Sequence, residues 1–109
     1  MRLDIDFLVV SPAFERILAA YAQNLSRLGI RMSYRTVDTS LYIRRMESFD
    51  FDMMVYPIAQ SESPGNEQRD FFHSSAADIP GSRNLIGIED PAVDKLVEKV
   101  IYAENRDEL

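Results

Sequence analysis

Cysteine and tryptophan are absent from these 109 residues. Without cysteine the chain has no disulfide, no thiolate metal site and no cysteine nucleophile. The same absence leaves its redox compartment open. Histidine occurs once, at His73. Glycine is sparse, and Gly65, Gly81 and Gly87 are too scattered to form a phosphate-cradling loop. Basic residues are outnumbered by acidic ones, 12 to 18, for a net charge of -6. Only Arg44 and Arg45 are adjacent bases, and they fall in a helical pattern. Phosphate binding needs clustered Lys and Arg, so no nucleic-acid partner is expected. No apolar run approaches the roughly 18 residues of a membrane span. The opening residues, MRLDIDFLVV, do not read as a signal peptide, because two acids interrupt them and no small-residue cleavage site follows.

What is present is a globular composition, 46% hydrophobic and 28% charged. Its length implies a single domain over residues 1–109. Leu3, Ile5, Phe7 and Val9 alternate with Asp4, Asp6, Leu8 and Val10, the pattern of a strand whose second half is buried on both faces. Ser11-Pro12 can start a helix, since proline needs no N–H at the first helical position. Phe14, Ile17, Leu18, Tyr21, Leu25 and Leu28 then form one apolar stripe, ended by Gly29. Residues 30–37 alternate again, with a polar face of Arg31, Ser33 and Arg35 that marks an edge strand. Asp38 or Thr39 can cap a second helix with Tyr42, Ile43, Met46 and Phe49 inward. The apolar run from Phe51 to Ala59 predicts a third strand, buried on both faces, with Pro57 near its end.

This order is β-α-β-α-β. It predicts an α/β fold with an open parallel sheet, strand order 2-1-3, right-handed crossovers and helices on both faces. Such a sheet binds ligands at the C-terminal ends of its strands. Three loops start there: Ser11-Pro12, Asp38-Thr39, and the long polar stretch Gln60 to Phe72. Residues 73–90 show little periodicity. Asp90-Pro91 then opens a helix with Val93, Leu96, Val97, Val100 and Ile101 on one face, fading near Ala103. Asn105 with Glu108 resembles a capping box for a further helix, which predicts that the chain is cut there.

No set of reactive residues stands out. The tail Arg106–Leu109 resembles an ER-retention signal, but it overlaps the helix start and no signal peptide precedes it. His73 with Glu67 and Asp70 is a thin basis for a metal site. Glu62 and Glu67 have no spacing that demands acid–base work, and a solvated loop explains them. Ser61, Ser63, Ser74, Ser75 and His73 lack the G-x-S-x-G elbow of a hydrolase. A binding module is therefore expected rather than an enzyme, with no catalytic residue, metal or cofactor. The alternative is a stand-alone small α/β regulatory or interaction domain.

The segment FDFDMMVYPIAQSESPGNEQRDFFHSSAADIPGSRNLIGIEDPAVDKLV resembles the C-terminal lobe of family 5 extracellular solute-binding proteins, the periplasmic peptide-binding components of ABC transporters. FDFDM, SPGNEQRDFF and NLIGIEDPAVDKLV carry the likeness, and ERILAAYAQNLSRLGIRMSYRTVD also fits. The loop wording is nearest to the branch for oligopeptide and microcin-type peptides. Family members are several times longer, so the resemblance implies a lobe fragment without its export signal and N-terminal lobe. It implies a periplasmic full-length protein that captures oligopeptides by lobe closure and docks on a membrane permease. Main-chain hydrogen bonds would hold the peptide, and charged side chains its termini. On that basis Glu62 or Glu67 would meet an amine and Arg83 a carboxylate. Gln60, Ser61, Ser63, Asn66 and Asn84 would be neutral partners. The lone lobe is expected to self-associate through surface that normally packs elsewhere.

Overall fold

A computed structural model describes residues 2–109. The chain divides into two compact units, one ending at Pro57 and the other starting at Ile58. In the first, strand β1 (Leu3–Val9) pairs in parallel with strand β2 (Ile30–Thr36), from Leu3 opposite Ile30 to Val9 opposite Thr36. On its other side β1 pairs in parallel with strand β3 (Met53–Met54), giving the order β2-β1-β3. The crossovers are helix α1 (Glu15–Ser26), entered through a 3-10 turn at Pro12–Phe14, and helix α2 (Thr39–Glu47). Right-handed crossovers in this order place the two helices on opposite faces of the sheet. The expected topology and strand order are thus observed.

Phe7, Val9, Leu18 and Met32 are the buried heart of this unit, with Ile5, Phe14, Ala22, Leu25, Tyr34 and Met53 packed around them. They join one face of the sheet to α1. Alternation sends Leu8 to the opposite face, where it is fully buried. The α1 stripe divides: Phe14, Leu18 and Leu25 turn inward, but Ile17 and Leu28 are 63% and 75% exposed. Gly29 ends the helix with φ at 76°, a conformation that costs glycine little. Helix α2 is capped by Asp38, whose carboxylate accepts from the Leu41 N–H at 2.9 Å. It closes as a Schellman motif: the Asp50 N–H donates to the Arg45 carbonyl and the Phe49 N–H to the Met46 carbonyl. Phe49 holds the left-handed position, φ 56°, that glycine usually takes.

The third strand is a correction. It was expected from Phe51 to Ala59 and buried on both faces; only Met53–Met54 pair, and Val55 and Ile58 are 47% and 46% exposed. In this register Val55 and Tyr56 would lie opposite Val9 and Val10, where β1 ends and turns into Ser11-Pro12. From Tyr56 onward the run has no β1 residue left to pair with. The strand is instead fastened at its entry, where Asp52 donates its N–H to the Asp6 carbonyl and takes the Asp6 N–H on its carboxylate at 2.7 Å. Arg45 reaches from α2 to the Asp6 and Asp50 carboxylates.

The second unit holds two helices. Helix α3 (Glu67–Phe72) was not foreseen and lies inside the stretch read as loop; helix α4 (Pro91–Ile101) was, with Asp90 accepting from the Ala92 N–H as its cap. A 3-10 turn at Ser74–Ala76 follows α3. Phe71, Ala76, Ala77 and Val97 are its buried apolar residues. After α4 the expected capping box partly forms: the Asn105 side chain accepts from the Asp107 and Glu108 N–H groups, and Glu108 accepts from the Glu104 N–H. No described helix is long and apolar enough to cross a membrane.

Candidate functional site

The C-terminal ends of β1 and β3 frame a crevice of about 370 Å³ in the first unit. It lies at the switch point, where the chain leaves β1 toward one sheet edge and β3 lies on the other side. Val9 and Val10 from β1, Phe14 from the turn before α1, Tyr42 from α2, and Val55 and Pro57 after β3 line it. The lining is almost wholly apolar. The Tyr42 hydroxyl donates to the Val55 carbonyl at 3.4 Å, and burial with the neighbouring Tyr56 raises its pKa. The expected place of a crevice is therefore occupied by one, but its walls are residues that periodicity had assigned to the core.

The expected ligand-binding residues lie in the second unit, and the structure divides them. Gln60, Glu67 and Gln68 form a network with the backbone. Glu67 accepts from the Gly65 N–H at 2.8 Å and from Gln60 at 3.3 Å, and Gln68 donates to Gln60. Those bonds to Gly65 and to its own N–H, then that of Gln60, hold the Glu67 carboxyl below the usual range. Glu67 thus fastens the turn into α3. Asn66 accepts from Arg69 at 3.0 Å. Ser61 and Ser63 close a small turn, in which the Ser61 hydroxyl accepts from the Ser63 N–H and donates to the Ser63 carbonyl. Glu62 is open, its side chain 91% exposed and 3.4 Å from Arg106.

Arg83 and Asn84 differ sharply although they adjoin. Arg83 is half exposed, 3.5 Å from the Asp70 carboxylate, with its guanidinium 5.4 Å from the Phe71 ring centre. Asn84 is fully buried. Its amide donates to the His73 and Ile88 carbonyls at 3.1 and 3.0 Å, and its oxygen accepts from the Ile88 N–H at 2.9 Å. A ligand at the surface has no route to that side chain. Its position holds the aperiodic 73–90 segment, and polarity alone could not separate it from a ligand contact.

His73, Ser74, Ser75 and Asp94 do come together. The same His73 nitrogen, Nδ1, faces the Ser75 hydroxyl at 2.9 Å, the Ser75 N–H at 3.1 Å and Asp94 at 3.9 Å. A nucleophile relay needs two different ring nitrogens, one for the hydroxyl and one for the carboxylate. Here Asp94 instead accepts from the Ser74 hydroxyl at 2.6 Å and its N–H at 2.8 Å, which lowers the Asp94 pKa. The group is a joint between the 3-10 turn and α4. Beside it, Arg69 makes a two-pronged pair with Glu98 at 2.8 and 2.7 Å, which lowers the Glu98 pKa, and its guanidinium lies near the Tyr102 ring. Among the described residues, no group of His, Asp and Glu is arranged to hold a metal.

No family model matches the chain. It is 54% identical over 107 residues to a probable peptide-binding protein, YejA, of Agrobacterium fabrum. It is 35% identical over 108 residues to a peptidoglycan-binding protein, YepA, of the same organism. These alignments cover 98% and 99% of this chain but only 17% and 18% of those proteins. Among solved structures, the oligopeptide-binding protein AppA of Bacillus subtilis, bound to a nonapeptide, matches 97% of this chain and 21% of its own, with a TM-score of 0.79 at 24% identity. Over nearly its whole length, then, the chain is similar to one segment of bacterial proteins named for peptide or peptidoglycan binding, and it has the fold of the matching segment of an oligopeptide-binding protein.

Proposed function

We propose that this chain is a segment of a family 5 extracellular solute-binding protein, and that residues 1–109 belong to one lobe of it. The complete protein would be periplasmic, would capture oligopeptides by closing two lobes on them, and would deliver them to an ABC permease. It would act by binding rather than catalysis. The observation that carries this reading is the 54% identity, across 98% of the chain, to a protein named as peptide-binding. The AppA-like fold and the crevice at the strand ends agree with it.

Within the loop, Glu62 is the candidate for a peptide amine, since its side chain is 91% exposed and its ion pair is with the exposed Arg106. Arg83 is the candidate for a carboxylate, in exchange for Asp70. Ser61, Ser63, Asn66 and Gln60 would offer neutral contacts, and Glu67 would hold the loop in shape. Asn84 would act from the interior. Titration of the complete protein with a mixed oligopeptide pool, stem peptides of peptidoglycan included, tests the reading. Saturable binding is expected, weakened several-fold by Glu62→Ala and by Arg83→Ala. Binding that ignores both changes would remove these two residues from the site. Absence of any peptide binding would remove the reading itself.

A further inference from the structure

The two ends of the polar loop are joined by one chain of side-chain hydrogen bonds. Gln68, in the first turn of α3, is 9% exposed and donates its amide to the Gln60 oxygen. The Gln60 nitrogen donates in turn to the Glu67 carboxylate at 3.3 Å, and the same carboxylate oxygen accepts from the Gly65 N–H at 2.8 Å. An ionised carboxylate only accepts. Gln60 must therefore turn its NH2 to Glu67 and its oxygen to Gln68, and Gln68 must donate. Glu67 thus sets the direction of the whole chain. Gly65 leaves room for it, since a Cβ there would stand 3.2 Å from the second Glu67 oxygen. The residues between the two ends hang on Gln60, which also donates to the Ser61 carbonyl at 3.2 Å; the Ser61 hydroxyl then closes the turn at Ser63. If the loop swung away, the nearly buried Gln68 amide would lose its partner, which is unfavourable. An interior side chain therefore biases an exposed loop toward one shape.

We propose that Gln68 is a positioning residue for ligand binding: from the interior it locks the Gln60 amide, and through it the loop from Ser61 to Pro64, in one shape before the peptide arrives. This rests on the peptide-binding reading above. A loop already in its binding shape loses little freedom when a ligand docks. A loop that holds that shape only part of the time binds more weakly in proportion. Gln68 itself touches no ligand in this role.

The test uses the complete protein, titrated with the same mixed oligopeptide pool, and amide exchange at Gly65 read without ligand. Gln68→Met keeps the length of the side chain and removes its donor. Affinity should fall about three- to tenfold, the worth of one hydrogen bond, chiefly through slower association. Gln60 is exposed, so water can take the vacated place and the melting temperature should move little. The Gly65 amide should exchange several-fold faster. Gln68→Glu sets a second acceptor against the Gln60 oxygen and should weaken binding further. Glu67→Gln combined with Gln68→Glu runs the same chain in the opposite direction, and should restore the protection of the Gly65 amide. Wild-type affinity in both single variants, or a lowered melting temperature with unchanged affinity, overturns the positioning role while peptide binding stands. Unchanged Gly65 exchange in Gln68→Met, or no recovery of protection in the double variant, overturns the hydrogen-bond chain as its route. A wild-type protein that binds no peptide overturns the peptide reading and this role together, whatever the exchange shows.

Discussion

Among the described residues, Asn84 is the most deeply buried polar side chain of the second unit. Its three hydrogen bonds satisfy backbone groups of His73 and Ile88, two partly buried residues. Asn84→Ala would leave them unpaired, at a cost of about 3 kcal/mol. Urea denaturation followed by circular dichroism reads this directly; a change within experimental error would mean that water replaces the amide. Arg69 governs a different property. Glu98 titrates below its ordinary range, chiefly because Arg69 donates to it, and Asp94 does so because of Ser74. Folded-state values below the unfolded ones mean that the folded state gains stability above the ordinary carboxylate range. That gain is lost as pH falls through the lowered values. Melting temperature should therefore drop on acidification below about pH 4. Arg69→Gln should lower it at neutral pH and shrink that drop. An acid sensitivity unchanged by Arg69→Gln would place its origin elsewhere.

The helices owe their ends to single residues. Either Asp38 or Thr39 could cap α2 on sequence, and geometry chose Asp38, whose carboxylate accepts from the Leu41 N–H. Asp38→Ala should cost about 1 kcal/mol, with Thr39→Ala nearly neutral. Paired denaturation curves separate the two, and equal losses would contradict the assignment. Gly29 ends α1 with φ at 76° and nothing within 4 Å of where a Cβ would stand. Gly29→Ala should therefore destabilise by about 1 kcal/mol through backbone strain alone. Strand β3 shows the limit of pattern reading. Phe51 to Ala59 has the composition of a buried strand, yet pairing with β1 stops at Met54, one residue before β1 itself ends at Val9. Helix α3 shows the converse: six residues, Glu67–Phe72, are too few for an apolar stripe to declare itself, and Glu67 and Phe71 fix it through contacts instead.

For the chain as a whole, the notable quantity is apolar surface left open. Ile17 on α1, Leu28 just after it, Ile86, and Leu96 on α4 are 63%, 75%, 78% and 60% exposed. The chain matches only 17% of the peptide-binding protein it most resembles among those compared above. Contiguous exposed apolar surface promotes association. The 109-residue chain alone should show a mass that rises with concentration in sedimentation experiments. Ile17→Lys with Leu28→Lys should return it toward the monomer. A monomer at high concentration in the unmodified chain would show that these residues do not form an adhesive patch.

Hydropathy alternation, helical stripes, Gly29 and the polar second face of residues 30–37 were enough to determine the parallel β-α-β-α-β arrangement and its 2-1-3 order. These are local signals, and the rules of crossover handedness add the rest. The likeness to peptide-binding proteins was also legible, because SPGNEQRDFF and NLIGIEDPAVDKLV keep their order and spacing. What a polar residue does was not. Glu62, Glu67 and Asn84 look alike as candidates in a string of letters. Only folding leaves Glu62 open, turns Glu67 onto the Gly65 N–H, and encloses Asn84 among backbone carbonyls. Nor could periodicity separate an apolar residue that fills the core from one that lines a crevice, since Val10, Tyr42 and Val55 follow the same pattern as their buried neighbours. That distinction depends on where the partner strand ends, which is a property of the packed sheet and not of the residues themselves.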